Sequence, residues 1–214
     1  MAKELFFKVE RTARVWTHGE LTDATKRIWL VTHGYGQLAE YFIKNFEHLD
    51  PKTNFVIAPE ALSKAYINGM SGRVGASWMT KEMRLAEIED YTTYLNTVFQ
   101  KLTEGFKLSK FNIIALGFSQ GAATISRWTR LNEEIVEAMI LWGGQPGIEL
   151  FVKENFKKLP IIFVIGDKDP YISRELKQQL KDQSNKCNWS FKVLEYEGEH
   201  NLDKNLLSIL ENNF

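Results

Sequence analysis

An α/β architecture with a mostly parallel sheet is predicted by three observations. Short apolar runs rich in branched and aromatic residues alternate with segments of helical periodicity along the chain. The strongest of these runs, Arg27-Ile28-Trp29-Leu30-Val31-Thr32 and Phe111-Asn112-Ile113-Ile114-Ala115-Leu116, are apolar at successive positions, as strands buried on both faces are. No repeat, low-complexity tract or linker interrupts the 214 residues, so one domain, 1–214, with a large core and helices on both faces is expected.

Taken in order, residues 5–10 and 14–17 read as two short strands forming an antiparallel N-terminal hairpin. After the 27–32 strand, Leu38, Phe42, Phe46 and Leu49 recur at helical spacing until Asp50-Pro51 stops them. Residues 54–58 form the next strand, closed by Pro59, and residues 60–80 are less regular. Helical periodicity resumes with Met83, Leu85, Ile88, Tyr91, Leu95, Val98 and Leu102, about six turns. The 111–116 strand and a helix from Ala122 follow, then a strand over 137–142, a short helix to Phe156 and a strand over 159–165. Ser173 caps a helix running to about Asp182. The last strand spans 190–196 and the last helix 202–210.

Bulk composition narrows the function classes. Lys+Arg and Asp+Glu both number 27, and no basic block stands out, so there is no electrostatic case for nucleic acid. The N-terminal residues lack the apolar core of a signal peptide, and no run approaches membrane-spanning length. The single cysteine, Cys187, excludes an internal disulfide and suits a reducing compartment, so a cytoplasmic location is expected and the Asn188-Trp189-Ser190 sequon should stay unglycosylated. Nothing in the composition fixes the oligomeric state.

The chain's chemistry centres on Gly117-Phe118-Ser119-Gln120-Gly121, between a strand and a helix. A G-x-S-x-G turn in that setting holds a serine hydroxyl above the sheet in a strained conformation, beside the N-terminal end of the following helix. As an isolated pentapeptide it is an ordinary turn. It gains meaning from partners.

A serine hydroxyl needs a base. Of four histidines, His18 lies near the opening hairpin, His48 at the polar end of a helix, and His33 in a turn after a strand. His200 follows the final strand, at the sheet edge where open α/β sheets carry their sites, and is the expected base. The acid is expected in Gly166-Asp167-Lys168-Asp169-Pro170, with Asp169 preferred as the residue further out and fixed by Pro170; Asp167 is assigned to loop amides. Backbone N–H groups of Gln120 and of Tyr35, the latter within His33-Gly34-Tyr35-Gly36, are the expected oxyanion donors.

These motifs resemble the α/β-hydrolase superfamily over nearly the whole chain. More narrowly they resemble the small, capless phospholipase/carboxylesterase group that includes acyl-protein thioesterases, on the H-G-x-G turn at His33, the serine elbow, the Asp169 loop, the late His200 and Ser77-Trp78. The resemblance implies an α/β-hydrolase fold without an inserted cap, Ser119 as nucleophile, Asp169 as acid and His200 as base, with Tyr35 and Gln120 amides as the oxyanion hole. Gln37 and Thr80 stand where that group carries aspartates.

The interval between Ser119 and Asp169 is filled by expected helices and strands, which leaves residues 60–81 as the only cover, a mobile flap or acyl groove. From it, and from the strand ends, Trp78, Met70, Arg73, Trp142 and Tyr171 are the expected substrate contacts. No G-K-[ST] follows its glycines, and no metal or organic cofactor is expected. The sequence therefore predicts a serine hydrolase of carboxylic esters, or thioesters, of small to medium acyl groups. The alternatives are a non-catalytic ligand-binding homologue and a hydrolase of peptide or C–C bonds using the same triad.

Overall fold

The fold is taken from a computed structural model that describes residues 2–148, 159–186 and 191–214. Its strands are β1 (Val15–His18), β2 (Arg27–Thr32), β3 (Asn54–Pro59), β4 (Ser63–Tyr66), β5 (Val74–Ser77), β6 (Asn112–Phe118), β7 (Ala138–Trp142), β8 (Ile161–Gly166) and β9 (Phe191–Tyr196). The α-helices are α1 (Ala39–Phe42), α2 (Arg84–Leu102), α3 (Gln120–Leu131), α4 (Arg174–Lys186) and α5 (Lys204–Glu211).

Seven strands form one sheet in the order β1-β3-β2-β6-β7-β8-β9, parallel except for β1. From β2 the chain first moves outward to β3, then returns to the other side of β2 at β6. The crevice beyond the carboxyl ends of β2 and β6 is thus a topological switch point, where such sheets place their ligands.

Side chains of successive strand residues point to opposite faces, and two cores result. Ile28, Leu30, Ile113, Ala115, Met139, Leu141 and Phe163 pack against Tyr91, Leu95 and Phe99 of α2 and Ile125 and Trp128 of α3. Trp29, Val31, Ile114, Leu116, Ile140 and Val164 pack against Phe42 and Phe46 and against Leu207 and Leu210 of α5. Burial on both sides explains the unbroken apolar runs of the central strands.

Several expected elements differ in detail. Residues 14–17 become β1, but β1 pairs with β3 and residues 5–10 form no strand. Their Leu5, Phe6, Phe7 and Val9 side chains are exposed, with nothing to reward a second strand there. An antiparallel hairpin does form in the stretch that reads as irregular: β4 and β5 pair from Ser63 with Ser77 to Tyr66 with Val74. The helix expected after β2 is one turn of α1 followed by a 3-10 turn over Ile43–Asn45. Ser173 caps α4 through its hydroxyl oxygen, which accepts the Leu176 N–H, and Asp203 caps α5 through its carboxylate, which accepts the Leu206 N–H. The short helix expected before Phe156 lies outside the described residues. Among the described residues no helix is long and apolar enough to cross a membrane.

Candidate active site

Ser119 joins β6 to α3 with φ 54° and ψ −118°, a conformation that costs an L-residue about 1–3 kcal/mol and persists only where its surroundings enforce it. Two glycines make the turn sterically possible. A Cβ on Gly121 would lie 2.2 Å from the Thr32 carbonyl oxygen, and one on Gly117 would lie 2.3 Å from the Gly121 oxygen. The elbow is pinned laterally by the Ser119 N–H, which donates to the Trp142 carbonyl at 2.8 Å. Strand β2, strand β7 and helix α3 thus converge on one serine.

His200 lies in the loop between β9 and α5, and its Nδ1 is 2.7 Å from Asp169 Oδ2 in the loop after β8. The carboxylate is 1% exposed, and its other oxygen accepts the Tyr171 N–H at 2.9 Å. A buried carboxylate on Nδ1 fixes the tautomer, which leaves Nε2 to work as a base. The imidazole packs on Phe118, ring centroids 4.7 Å apart, and meets Tyr171 edge-on, 4.6 Å apart. Phe118 immediately precedes the serine, so the structure brings Ser119, His200 and Asp169 to one edge of the sheet. Asp167 instead accepts the Gly198 N–H at 2.9 Å, tying the two loops together.

The loop after β2 supplies the opposite wall. The N–H groups of Tyr35 and Gln120 donate to no acceptor among the described residues, as free oxyanion donors must. The loop itself is fixed by a set of buried side chains. His33 is wholly buried; its Nε2 accepts the Ala61 N–H at 3.1 Å, so Nδ1 carries the proton and donates to the Gly34 carbonyl at 2.8 Å. Burial lowers its pKa from 6.5 to about 4, outweighing the opposing pull of the Gly34 carbonyl and Glu60. Gln37 Oε1 accepts the Gly34 N–H at 2.8 Å, and the loop's backbone bonds to β5 through Gly36 N–H to Ala76 O and Ala76 N–H to Gln37 O.

Gln120 contributes more than an amide. Its side-chain oxygen accepts the Trp78 N–H at 3.1 Å, and its nitrogen donates to Met79 O at 2.8 Å and Ser77 Oγ at 3.2 Å. The segment after β5 is thereby stitched to the first turn of α3. The Gln120 link is not predictable from the sequence, because it joins residues some forty positions apart, whereas the Gln37 cap is local, three residues from Gly34. The position of Gln37 directly after the H-G-x-G turn was the one available signal.

The five expected substrate contacts separate. Trp78 and Trp142 are corrected to core positions. Trp78 is buried, donating its indole N–H to His33 O at 2.8 Å and packing on Tyr91, and Trp142 is buried with its indole N–H on Asn201 O at 3.0 Å. Both support the site from beneath. Tyr171 is exposed beside His200, and Met70 and Arg73 are exposed at the end of the β4–β5 hairpin. The residue 60–81 stretch, expected as a flap, is anchored at its base by the bonds to Gly36, Gln37 and Gln120. Among the described residues no cluster of metal-binding side chains occurs.

Comparison with solved structures places the fold. Esterase PE8 superposes with a TM-score of 0.71 at 18% identity, covering 95% of this chain and 99% of that one. Acyl-protein thioesterase 2 of Zea mays gives 0.70 at 14% identity, covering 94% and 99%. A phospholipase/carboxylesterase of Dyadobacter fermentans gives 0.67 at 19%, covering 96% and 97%. The fold is therefore that of the α/β-hydrolases, with no cap domain among the described residues. Among curated proteins none matches the sequence. The serine hydrolase (FSH1) family profile, however, matches residues 22–205, from before β2 into the start of α5 and across every element that carries the site. With that match covering most of its length, the chain belongs to the serine hydrolase (FSH1) family.

Proposed function

We propose that the protein is a carboxylesterase- or thioesterase-like hydrolase that works through Ser119, His200 and Asp169. The observation that carries the reading is the buried Asp169 carboxylate held 2.7 Å from His200 Nδ1 beside a strained serine elbow. Ser119 Oγ attacks the acyl carbonyl as His200 Nε2 takes its proton, and Asp169 stabilises the imidazolium. The N–H groups of Tyr35 and Gln120 receive the oxyanion. Collapse expels the alcohol or thiol with the proton from His200 and leaves an acyl-Ser119 ester. Water, deprotonated by the same imidazole, then releases the acid. The protein's own groups suffice for every step, so neither metal nor organic cofactor is required.

Small to medium acyl groups suit a site whose cover is a short hairpin rather than a lid. A single catalytic domain and a cytoplasmic location accord with the shared sheet and with one cysteine in the chain.

A fluorophosphonate should label the wild type at Ser119 and abolish turnover of short nitrophenyl esters, and Ser119→Ala should take no label. A wild-type protein that resists labelling and cleaves no ester would sink the reading. Comparing nitrophenyl esters with acyl-CoA of equal chain length separates ester from thioester preference, and a strong preference for long chains would overturn the acyl size.

A further inference from the structure

Beside the oxyanion loop lies a cavity of about 350 Å³ lined by Gln37, Leu38, Tyr41, Phe42, Asn45 and Arg73. Its walls come from three elements: the turn after β2, helix α1 with the 3-10 turn behind it, and the end of the β4–β5 hairpin. Two contacts tie it to Ser119. The place a Gly34 Cβ would occupy is 3.2 Å from Gln37 Oε1 and 3.1 Å from Ser119 Cβ, so only the width of that glycine separates the cavity wall from the elbow. Phe42 stacks on Phe118, ring centroids 6.3 Å apart, and Phe118 is the residue before the serine.

Most of this lining is apolar or neutral, and Arg73 is the exception. Its carbonyl oxygen closes the hairpin end by accepting the Ile67 N–H at 2.9 Å, which fixes where the side chain starts. The guanidinium itself makes no ion pair or hydrogen bond among the described residues. Glu40 on α1 does not pair with it, and the nearby Lys44 adds positive charge, its ammonium resting 5.3 Å over the Tyr41 ring. A guanidinium fork without a partner among the described residues, on an otherwise uncharged recess, offers two parallel N–H donors to a carboxylate while Leu38 and Phe42 take up a short hydrocarbon spacer.

We propose that this cavity selects substrates that carry a free carboxylate a few bonds from the scissile carbonyl, held by Arg73. The inference rests on the reading of Ser119 as nucleophile and names the substrate class of that site. The carboxylate can sit on the acyl part, as in a mono-ester of a short dicarboxylic acid, or on the leaving part, as in an acyl ester of a hydroxy acid. In both the chemistry recognised is the same. Arg73 is here a specificity residue and touches no reacting atom.

The test measures kcat/KM for mono-nitrophenyl succinate, glutarate and adipate, for acetyl and butyryl esters of hydroxybenzoate, and for neutral esters matched in length. Wild type should favour one anionic series over its neutral match, and Arg73→Ala should reduce that ratio by about tenfold or more, as loss of a charge-assisted hydrogen bond does. Arg73→Lys should restore part of it, since an ammonium keeps the charge without the fork. The same loss of charge at Lys52, exposed at the opposite end of the sheet, should leave the ratio unchanged. Free adipate or glutarate should inhibit wild type competitively and Arg73→Ala far less. Equal losses on anionic and neutral esters, or no anionic preference in wild type, would overturn the proposal. Fluorophosphonate labelling of each variant keeps the two readings apart: a labelled enzyme without anion preference fails this inference alone, whereas an unlabelled wild type fails the hydrolase reading.

Discussion

On the flank formed by β2 and β5 the site is held by side chains, two of them fully interior, that bond main-chain groups; on the flank formed by β8 and β9 it is held by loop-to-loop backbone bonds together with the Trp142 indole and the Asp167 carboxylate. His33, Gln37, Trp78 and Gln120 each bond a main-chain group of a segment outside their own or of the turn they stand in, and His33 and Trp78 are fully interior. The other flank relies on Lys168 N–H to Gly198 O, Asp167 N–H to Tyr196 O and Gly198 N–H to the Asp167 carboxylate, beside an edge strand whose residues are only partly covered. The contrast follows the chemistry proposed for each. Oxyanion donors act by standing ready before charge develops, so their loop profits from rigid burial. The imidazole must exchange a proton with the serine and then with the leaving group, and needs one strong orienting contact more than a rigid shell.

The largest effect should come from that single contact. Asp169→Asn replaces the acceptor of the His200 Nδ1 proton by a group that can present an N–H, so the wrong tautomer becomes available. Ester turnover should fall by about 10³–10⁴-fold in kcat. Asp167→Asn keeps an oxygen for the Gly198 N–H and should cost under about tenfold. Steady-state kinetics on a neutral nitrophenyl ester checks both, and the reverse ranking would move the acid to Asp167.

The rigid flank should break through stability rather than through chemistry, and acid is the way to break it. The unfolded chain takes up a proton at His33 below its ordinary pKa of 6.5, whereas burial delays uptake in the folded chain until about 4. Between these values the unfolded state binds more protons, so stability declines as pH falls, by about 3 kcal/mol from this group when the window has been crossed. Urea midpoints at pH 7 and pH 4.5 should diverge more in wild type than in His33→Asn, which cannot titrate. NMR of the wild-type imidazole offers a second check, because it should remain neutral at pH 5.5. A His33 ring that titrates near 6.5 would contradict the buried, accepting Nε2.

How much of this was legible before any coordinates follows the same division. The central strands were readable because burial on both faces writes unbroken apolar runs, and the meeting of Ser119, Asp169 and His200 at one sheet edge because each follows a strand at that edge. The β4–β5 hairpin was not, since Ser63–Tyr66 and Val74–Ser77 are short, carry little apolar patterning and are separated by glycines. Nor was the outcome at residues 5–10, whose alternating character suggests a strand but which no partner strand meets. Trp78 and Trp142 were misplaced for a physical reason: an aromatic at a strand end can face the pocket or the core, and only the partner of its indole N–H decides. The Gln120 side chain was overlooked because its role consists of bonds to a segment some forty residues earlier.

That side chain gives the mildest prediction and the sharpest one for the comparison. Gln120→Ala keeps the backbone N–H that would meet the oxyanion but removes the acceptor of the Trp78 N–H and one of the two donors to the Met79 carbonyl, which keeps the Ser77 hydroxyl, at the partly buried junction of β5 and α3. Stranding the Trp78 N–H costs about 1–3 kcal/mol, so the urea midpoint should drop while kcat on a neutral ester changes by less than about tenfold. Gln120→Glu preserves the acceptor for Trp78 N–H yet sets a carboxylate against the Met79 oxygen, and should be no more stable than the alanine variant. A kcat collapse with unchanged stability would instead give the carboxamide a direct part in the chemistry and dissolve the distinction between a flank that supports and a flank that reacts.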